Sequence, residues 1–194
     1  MAATSSRQLK NICVLSGFHY GKYKEFVQPT IDLGCAIAER KLHLVYGGGD
    51  QGLSKLVSKA AFVQGSQVLG IIPKALKPLG CLPDSSTREE LVVSGMQERI
   101  SEMLNHADAF IFLPGDLATL ETLITFASWA HLNIHKKLIA KKLFISAPTA
   151  NELLDLLQAY KPEPDPMTLA LDWATNDDGS NSRKKCKLDL TLRL

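Results

Sequence analysis

The nine residues Leu113-Pro114-Gly115-Asp116-Leu117-Ala118-Thr119-Leu120-Glu121 combine a chain-breaking Pro-Gly pair, a hydroxyl and two acids. The apolar run Ala109-Phe110-Ile111-Phe112-Leu113 leads into them and reads as a buried strand. A helical pattern from about Ala118 to Leu132 follows. A strand-to-helix turn of this kind presents backbone N–H groups and the positive end of a helix dipole. That is a seat for a phosphate, with Glu121 beside it as an acid. The same residues equally describe an ordinary βα loop whose helix carries a stabilising acid near its start.

A second turn, Gly47-x-Gly49-x-x-Gly52, formally matches the dinucleotide fingerprint, following one strand pattern and opening a helix. It comes after the second strand rather than the first. The next strand, Gln67–Ile72, ends in Ile-Pro instead of the acid that would hold a ribose hydroxyl. The glycines either let the backbone approach a nucleotide closely or allow a tight turn with positive φ. His131 and His135 stand four apart on one helix face, but no Glu follows His131 and no third ligand is evident, so a plain helix surface is expected. Asp84, Glu89 and Glu90 read as solvated loop charge, and Trp129 as core or interface packing.

The elements that must position these residues alternate. Strands are expected at Asn11–Ser16, His43–Tyr46, Gln67–Ile72, Leu91–Val93, Ala109–Leu113 and Leu143–Ser146. Helical periodicity runs from Phe26 to about Arg40, from Gly52 through Ala61, from Gly95 to Asn105, from Ala118 to Leu132, and from Pro148 to near Tyr160. Between Lys74 and Arg88 periodicity lapses and a long loop is expected. The alternation predicts an α/β fold, a Rossmann-like doubly wound parallel sheet with helices on both faces. Ligands in such folds bind beyond the carboxyl ends of the strands. Gly17–Lys22, Gly47–Gly52 and Pro114–Glu121 should therefore converge. Residues 1–10 are expected to be a flexible N-terminus, 11–160 the nucleotide-binding domain, and 161–194 a polar, mobile tail.

Composition narrows the class. Apolar residues make up 45% of the 194, enough for one domain with a substantial core. A net charge of +2 gives no argument for nucleic acid or a membrane surface. No stretch approaches the length of a transmembrane helix, and the N-terminus has no apolar signal core. Cys13, Cys35, Cys81 and Cys186 are scattered, so reduced thiols in an intracellular protein are expected.

Several separated blocks carry a resemblance. Tyr46-Gly47-Gly48-Gly49-x-x-Gly52-Leu53, Met96-x-x-Arg99, Pro114-Gly115-x-x-x-Thr119 and Trp129-Ala130-x-Leu132-x-Ile134-His135 resemble the Lonely Guy (LOG) family of plant cytokinin-activating phosphoribohydrolases, a family that also carries the label lysine decarboxylase-like. Ile145-Ser146-Ala147-Pro148-Thr149-Ala150-x-Glu152-Leu153 resembles the plant members near their C-terminus. The likeness runs from about Asn11 to Tyr160. It implies a Rossmann-like homodimer, cytoplasmic and also nuclear. It implies hydrolysis of the N-glycosidic bond of N6-modified adenosine 5′-monophosphates to a free cytokinin base and ribose 5-phosphate, with no metal or organic cofactor and no nucleic-acid or membrane partner. By position it puts the catalytic residues at Arg99 and Glu121. It puts substrate contacts at Ile100, Gly115, Asp116, Leu117, Ala118, Thr119, Leu120, Glu121 and Ser128, beside Gly47, Gly48 and Gly49. The chemistry suits those types. Glycosidic cleavage passes through an oxocarbenium-like state that a carboxylate stabilises. A guanidinium grips phosphate or ribose oxygens with its fork of donors.

The chain also departs from the family pattern P-G-G-x-G-T-x-x-E. Aligned on Thr119, the second and third glycines become Asp116 and Ala118, and the final Glu becomes Thr122. Glu121 matches the preceding Glu of the plant form. Ile100 replaces a Lys, and Gly17-Phe18-His19-Tyr20-Gly21 replaces G-S-S-x-G. Asp116 opposes a bound phosphate: like charges about 5 Å apart at an effective dielectric near 20 repel by roughly 3 kcal/mol. Lys22 or Lys24 are the candidates for compensating phosphate contacts. A strand-plus-helix unit of the family is missing between His135 and Leu143. Two functions stay open: a LOG-type hydrolase of reduced activity, and a non-catalytic nucleotide-binding or regulatory paralogue. A pyridoxal-dependent decarboxylase finds no lysine in a recognisable cofactor site.

Overall fold

The computed structural model describes residues 9–17, 24–49, 51–77, 89–131 and 145–160. In chain order these form β1 (Asn11–Leu15), α1 (Val27–Glu39), β2 (His43–Tyr46), α2 (Gly52–Val63), β3 (Val68–Pro73), β4 (Glu89–Val93), α3 (Met96–His106), β5 (Ala109–Phe112), α4 (Leu117–His131) and α5 (Ala150–Ala159). Short 3₁₀ turns occupy Lys24–Phe26 and Lys74–Leu76.

The five strands are all parallel, in the order β4-β3-β2-β1-β5. The continuous apolar run of β1 has a direct cause: both faces of the sheet are covered, so neither side of the strand can be polar. Ile12 and Val14 point to one face, where they meet Leu33, Ala36 and Ile37 of α1, Val57 and Ala61 of α2, and Leu154 of α5. Cys13 and Leu15 point to the other, against Ile100, Met103 and Leu104 of α3 and Phe126 of α4. Each fully buried Ile or Leu of this kind contributes about 1.5–3 kcal/mol. Gly34 lets α1 and α2 approach closely, since a Cβ there would lie 2.7 Å from the Val57 carbonyl oxygen.

The doubly wound sheet thus matches the sequence expectation. Chain order reverses direction at β1, with β2, β3 and β4 on one side and β5 on the other. That is the topological switch point where such sheets open a crevice. Some bounds differ. β3 runs through Pro73 instead of stopping before it, and β4 begins at Glu89 instead of Leu91. Glu89 and Glu90, expected as loop charge, are exposed residues of this edge strand, and Glu90 pairs with Lys77 at 3.0 Å. Charge on an edge strand blocks further pairing. Leu9 and Lys10, expected in a flexible N-terminus, are held: Leu9 packs on the core, and the Lys10 N–H donates to Asp108. Ile145 and Ser146 form no strand, while Leu143 and Phe144 lie outside the described residues. So do the tail beyond Tyr160, Asp84, Lys22 and His135.

Candidate functional site

A cleft opens at the carboxyl ends of β1, β2, β3 and β5, with about 610 Å³ of empty space counting its open mouth. Its walls are Leu15, Ser16 and Gly17 after β1; Gly47, Gly48, Gly49, Gln51 and Ser54 between β2 and α2; Ile72 and Leu76; Arg99; and Asp116, Ala118, Thr119 and Thr122 at the start of α4. The first, second and third expected segments therefore do converge through their described residues.

The glycine turn meets the positive-φ expectation. Gly48 and Gly49 have φ of 71° and 77°, which side-chain-bearing residues rarely adopt. All three glycines, Gly47 to Gly49, line the cleft. Below them lies Arg99. Its Nε donates to the Ile71 carbonyl at 3.1 Å and its Nη2 to the Gly47 carbonyl at 2.8 Å. Burial pulls the guanidinium's pKa below its ordinary value, while Cys13 and Asp116 act the other way. Cys13, fully buried in β1, has its thiol pushed up to about 12 by desolvation, with Arg99 offsetting part of the rise. It is neutral at physiological pH.

The turn between β5 and α4 is packed against the end of β1. A Cβ on Gly17 would stand 2.7 Å from the Asp116 nitrogen, and one on Gly115 would stand 2.7 Å from the Gly17 nitrogen. Asp116 Oδ1 accepts hydrogen bonds from the Thr119 backbone N–H at 3.1 Å and from the Thr119 hydroxyl at 3.2 Å. It therefore caps α4, satisfying one of the donors a helix start leaves open. Ser16 and Ser54 face each other with hydroxyl oxygens 2.6 Å apart.

The structure does not bring Glu121 to this cleft. Successive helix residues are offset by about 100°, so neighbours point in different directions. Thr119, Thr122 and Phe126 form the inner face of α4, and Thr122 is 7% exposed and lines the cleft. Glu121 and Ser128 are exposed on the outer face, with Leu117, Leu120 and Ile124. Ile100, expected as a substrate contact, is corrected to a core residue packed with Met103 and Leu104. Leu117 and Leu120 likewise lie outside the cleft wall, and Lys24 is an exposed residue away from it. Gly115 packs behind the wall, while Asp116, Ala118 and Thr119 are part of it. Sequence reasoning missed Ser16, Gln51, Ser54 and Thr122. Their signal was position: Ser16 follows β1, Gln51 and Ser54 flank the start of α2, and Thr122 lies one turn past Ala118 on α4. Trp129 packs with the Phe126 cluster, a core role. Among the described residues no group of three His, Cys, Asp or Glu stands together as for a metal ion.

Residues 54–146 match the family described as possible lysine decarboxylase. The chain is 38% identical over 201 residues to the cytokinin riboside 5′-monophosphate phosphoribohydrolase LOG7 of Arabidopsis thaliana, covering 89% of this chain and 92% of that protein. The chain belongs to the LOG family. A LOG relative from Oryza sativa subsp. japonica is 38% identical over 184 residues, 80% of this chain and 76% of its own length. The LOG7 match spans more positions than the residues this chain contributes to it, so the relative carries residues that face a gap here. In structure, the molybdenum cofactor binding protein of Rippkaea orientalis shares the fold, with a TM-score of 0.56 over 79% of this chain and 98% of that one at 14% identity.

Proposed function

We propose that this LOG-family chain hydrolyses the N-glycosidic bond of N6-modified adenosine 5′-monophosphates, releasing a cytokinin base and ribose 5-phosphate. The observation that carries the reading is the likeness to phosphoribohydrolases along nearly the whole chain, joined to a cleft at the switch point of the sheet that holds Arg99 and the α4 start. In this reading Gly47–Gly49 let the nucleotide lie close to the backbone, and Arg99 orients it by charge and by its fixed fork. The chain works as a homodimer in the cytoplasm and the nucleus. Leu117, Leu120 and Ile124 support the dimer: they make an exposed apolar stripe, at 81%, 49% and 57%, on one side of α4. Glu121 and Ser128 share that stripe, so Glu121 acts through the contact between copies rather than from its own cleft.

The test is base release from isopentenyladenosine 5′-monophosphate by the full chain. Turnover that falls at least about tenfold in Glu121→Gln, a loss of about 1.4 kcal/mol in transition-state stabilisation, is expected. A folded wild type with no turnover overturns the enzyme. One observation favours a second reading, the non-catalytic nucleotide-binding paralogue. Thr122, not an acid, faces the cleft at the position where the family carries Glu. A silent wild type that gains turnover in Thr122→Glu decides for that reading.

A further inference from the structure

Ser16 and Ser54 reach the cleft wall from different elements, one just after β1 and the other in the first turn of α2. Their hydroxyl oxygens are 2.6 Å apart, and either can be the donor. Ser16 has a second bond, to the Gly17 carbonyl at 3.3 Å. Ser54 is 7% exposed, and among the described residues its hydroxyl bonds to Ser16 alone. A hydroxyl carries one hydrogen and two lone pairs. If Ser16 gives its hydrogen to Gly17, Ser54 donates to Ser16 and keeps both lone pairs unused. If Ser16 donates to Ser54, the Ser54 hydrogen finds no acceptor among the described residues. Either way a buried hydroxyl on the cleft wall has bonding capacity to spare, and a ligand group that completes it is favoured.

Resting on the nucleotide reading above, we propose that Ser54, held in place by Ser16, is a specificity-determining residue that contacts a hydroxyl of the nucleotide's ribose. A sugar hydroxyl both donates and accepts, so it completes the serine pair in either hydrogen arrangement. An ionised phosphate oxygen only accepts, and the guanidinium of Arg99 on the same wall suits it better. The flat face of a base is better matched by the apolar part of the wall, Leu15 and Ile72. The two serines are carried by a strand end and a helix start that the sheet fixes, so the pair is in position before the ligand arrives. A nucleotide that lacks the hydroxyl leaves the buried pair incomplete, and the cleft selects against it.

The test measures the preference of the full chain for isopentenyladenosine 5′-monophosphate over its 2′-deoxy and 3′-deoxy analogues. The preference is a ratio of kcat/KM where base is released, and of affinities by calorimetry where it is not. Ser54→Ala is expected to shift it by at least about tenfold toward one analogue, which identifies the hydroxyl in contact. Ser54→Cys keeps the volume and bonds only weakly, so it is expected to follow Ser54→Ala. Ser16→Ala leaves the Ser54 hydroxyl in the cleft but unpinned, and a smaller shift of about threefold toward the same analogue is expected. Folded Ser54 variants that leave both ratios unmoved, including variants that weaken all three ligands alike, overturn the role of Ser54 and leave the nucleotide reading standing. A folded wild type that neither binds nor cleaves any of the three removes the nucleotide reading and this proposal together.

Discussion

Arg99 ties the ends of two neighbouring strands by donating to Gly47 and Ile71. A Lys there keeps the charge and loses the planar fork, so one or both bonds go. Arg99→Lys is expected to lower unfolding free energy by about 1.5–3 kcal/mol, the value of a hydrogen bond to a charged group, measured by urea denaturation. A Cβ on Gly47 would run into the same guanidinium. Gly47→Ala is therefore expected to destabilise the wild type and to cost about 1 kcal/mol less in the Arg99→Lys background, a coupling that a double-mutant cycle reads directly. Arg99 was legible from its place in the Met96-x-x-Arg99 block. Its strut role was not, because no local pattern says which carbonyls lie across the sheet. Glu121 and Thr122 teach the same lesson more sharply. They are adjacent in sequence, and only the phase of α4, fixed by Phe126 entering the core, decides which of them reaches the cleft.

At the scale of elements, the helix that carries Arg99 starts under the control of one acid. Glu98 accepts from the Ser94 N–H at 2.7 Å and from its hydroxyl, and these bonds hold its carboxyl below the usual carboxylate pKa. A carboxylate whose pKa is depressed by folding adds stability above its unfolded pKa. That stability is lost as pH falls through the folded value. The melting temperature of Glu98→Gln should therefore lie below the wild type at neutral pH, and the gap should close as the solution is made more acidic than the ordinary pKa of 4.5. A gap that persists at low pH would assign the effect to something other than charge. Most elements were legible because buried parallel strands and amphipathic helices have different periods. β4 was half hidden because its first two residues are glutamates, which an exposed edge tolerates and a central strand does not.

For the whole molecule, the outer stripe of α4 is the surface assigned to the proposed dimer. Replacing Leu120 and Ile124 together by Lys puts two charges into the proposed contact, where like charges of two copies would meet. Size-exclusion chromatography with light scattering is expected to report a dimer for the wild type and a monomer for the double variant. A monomeric wild type removes the dimer and, with it, the route by which Glu121 acts. The sheet architecture was readable because alternation of strand and helix leaves few topologies. The stripe was not readable, since Leu117, Leu120 and Ile124 look like core positions until the opposite face is seen to be the buried one.

β1 is made first and sits between β2 and β5. The Asn11 N–H donates to Asp108, a residue 97 positions later in the chain, and the Asp108 N–H returns a bond to the Asn11 carbonyl. A ribosome adding about 5–20 residues per second needs roughly 5–20 s to cover that distance. For that interval the edge of β1 that β5 will cover has no partner strand. Completion of the sheet is thus a late event in the synthesis of the chain, although its interior strand β1 is an early one.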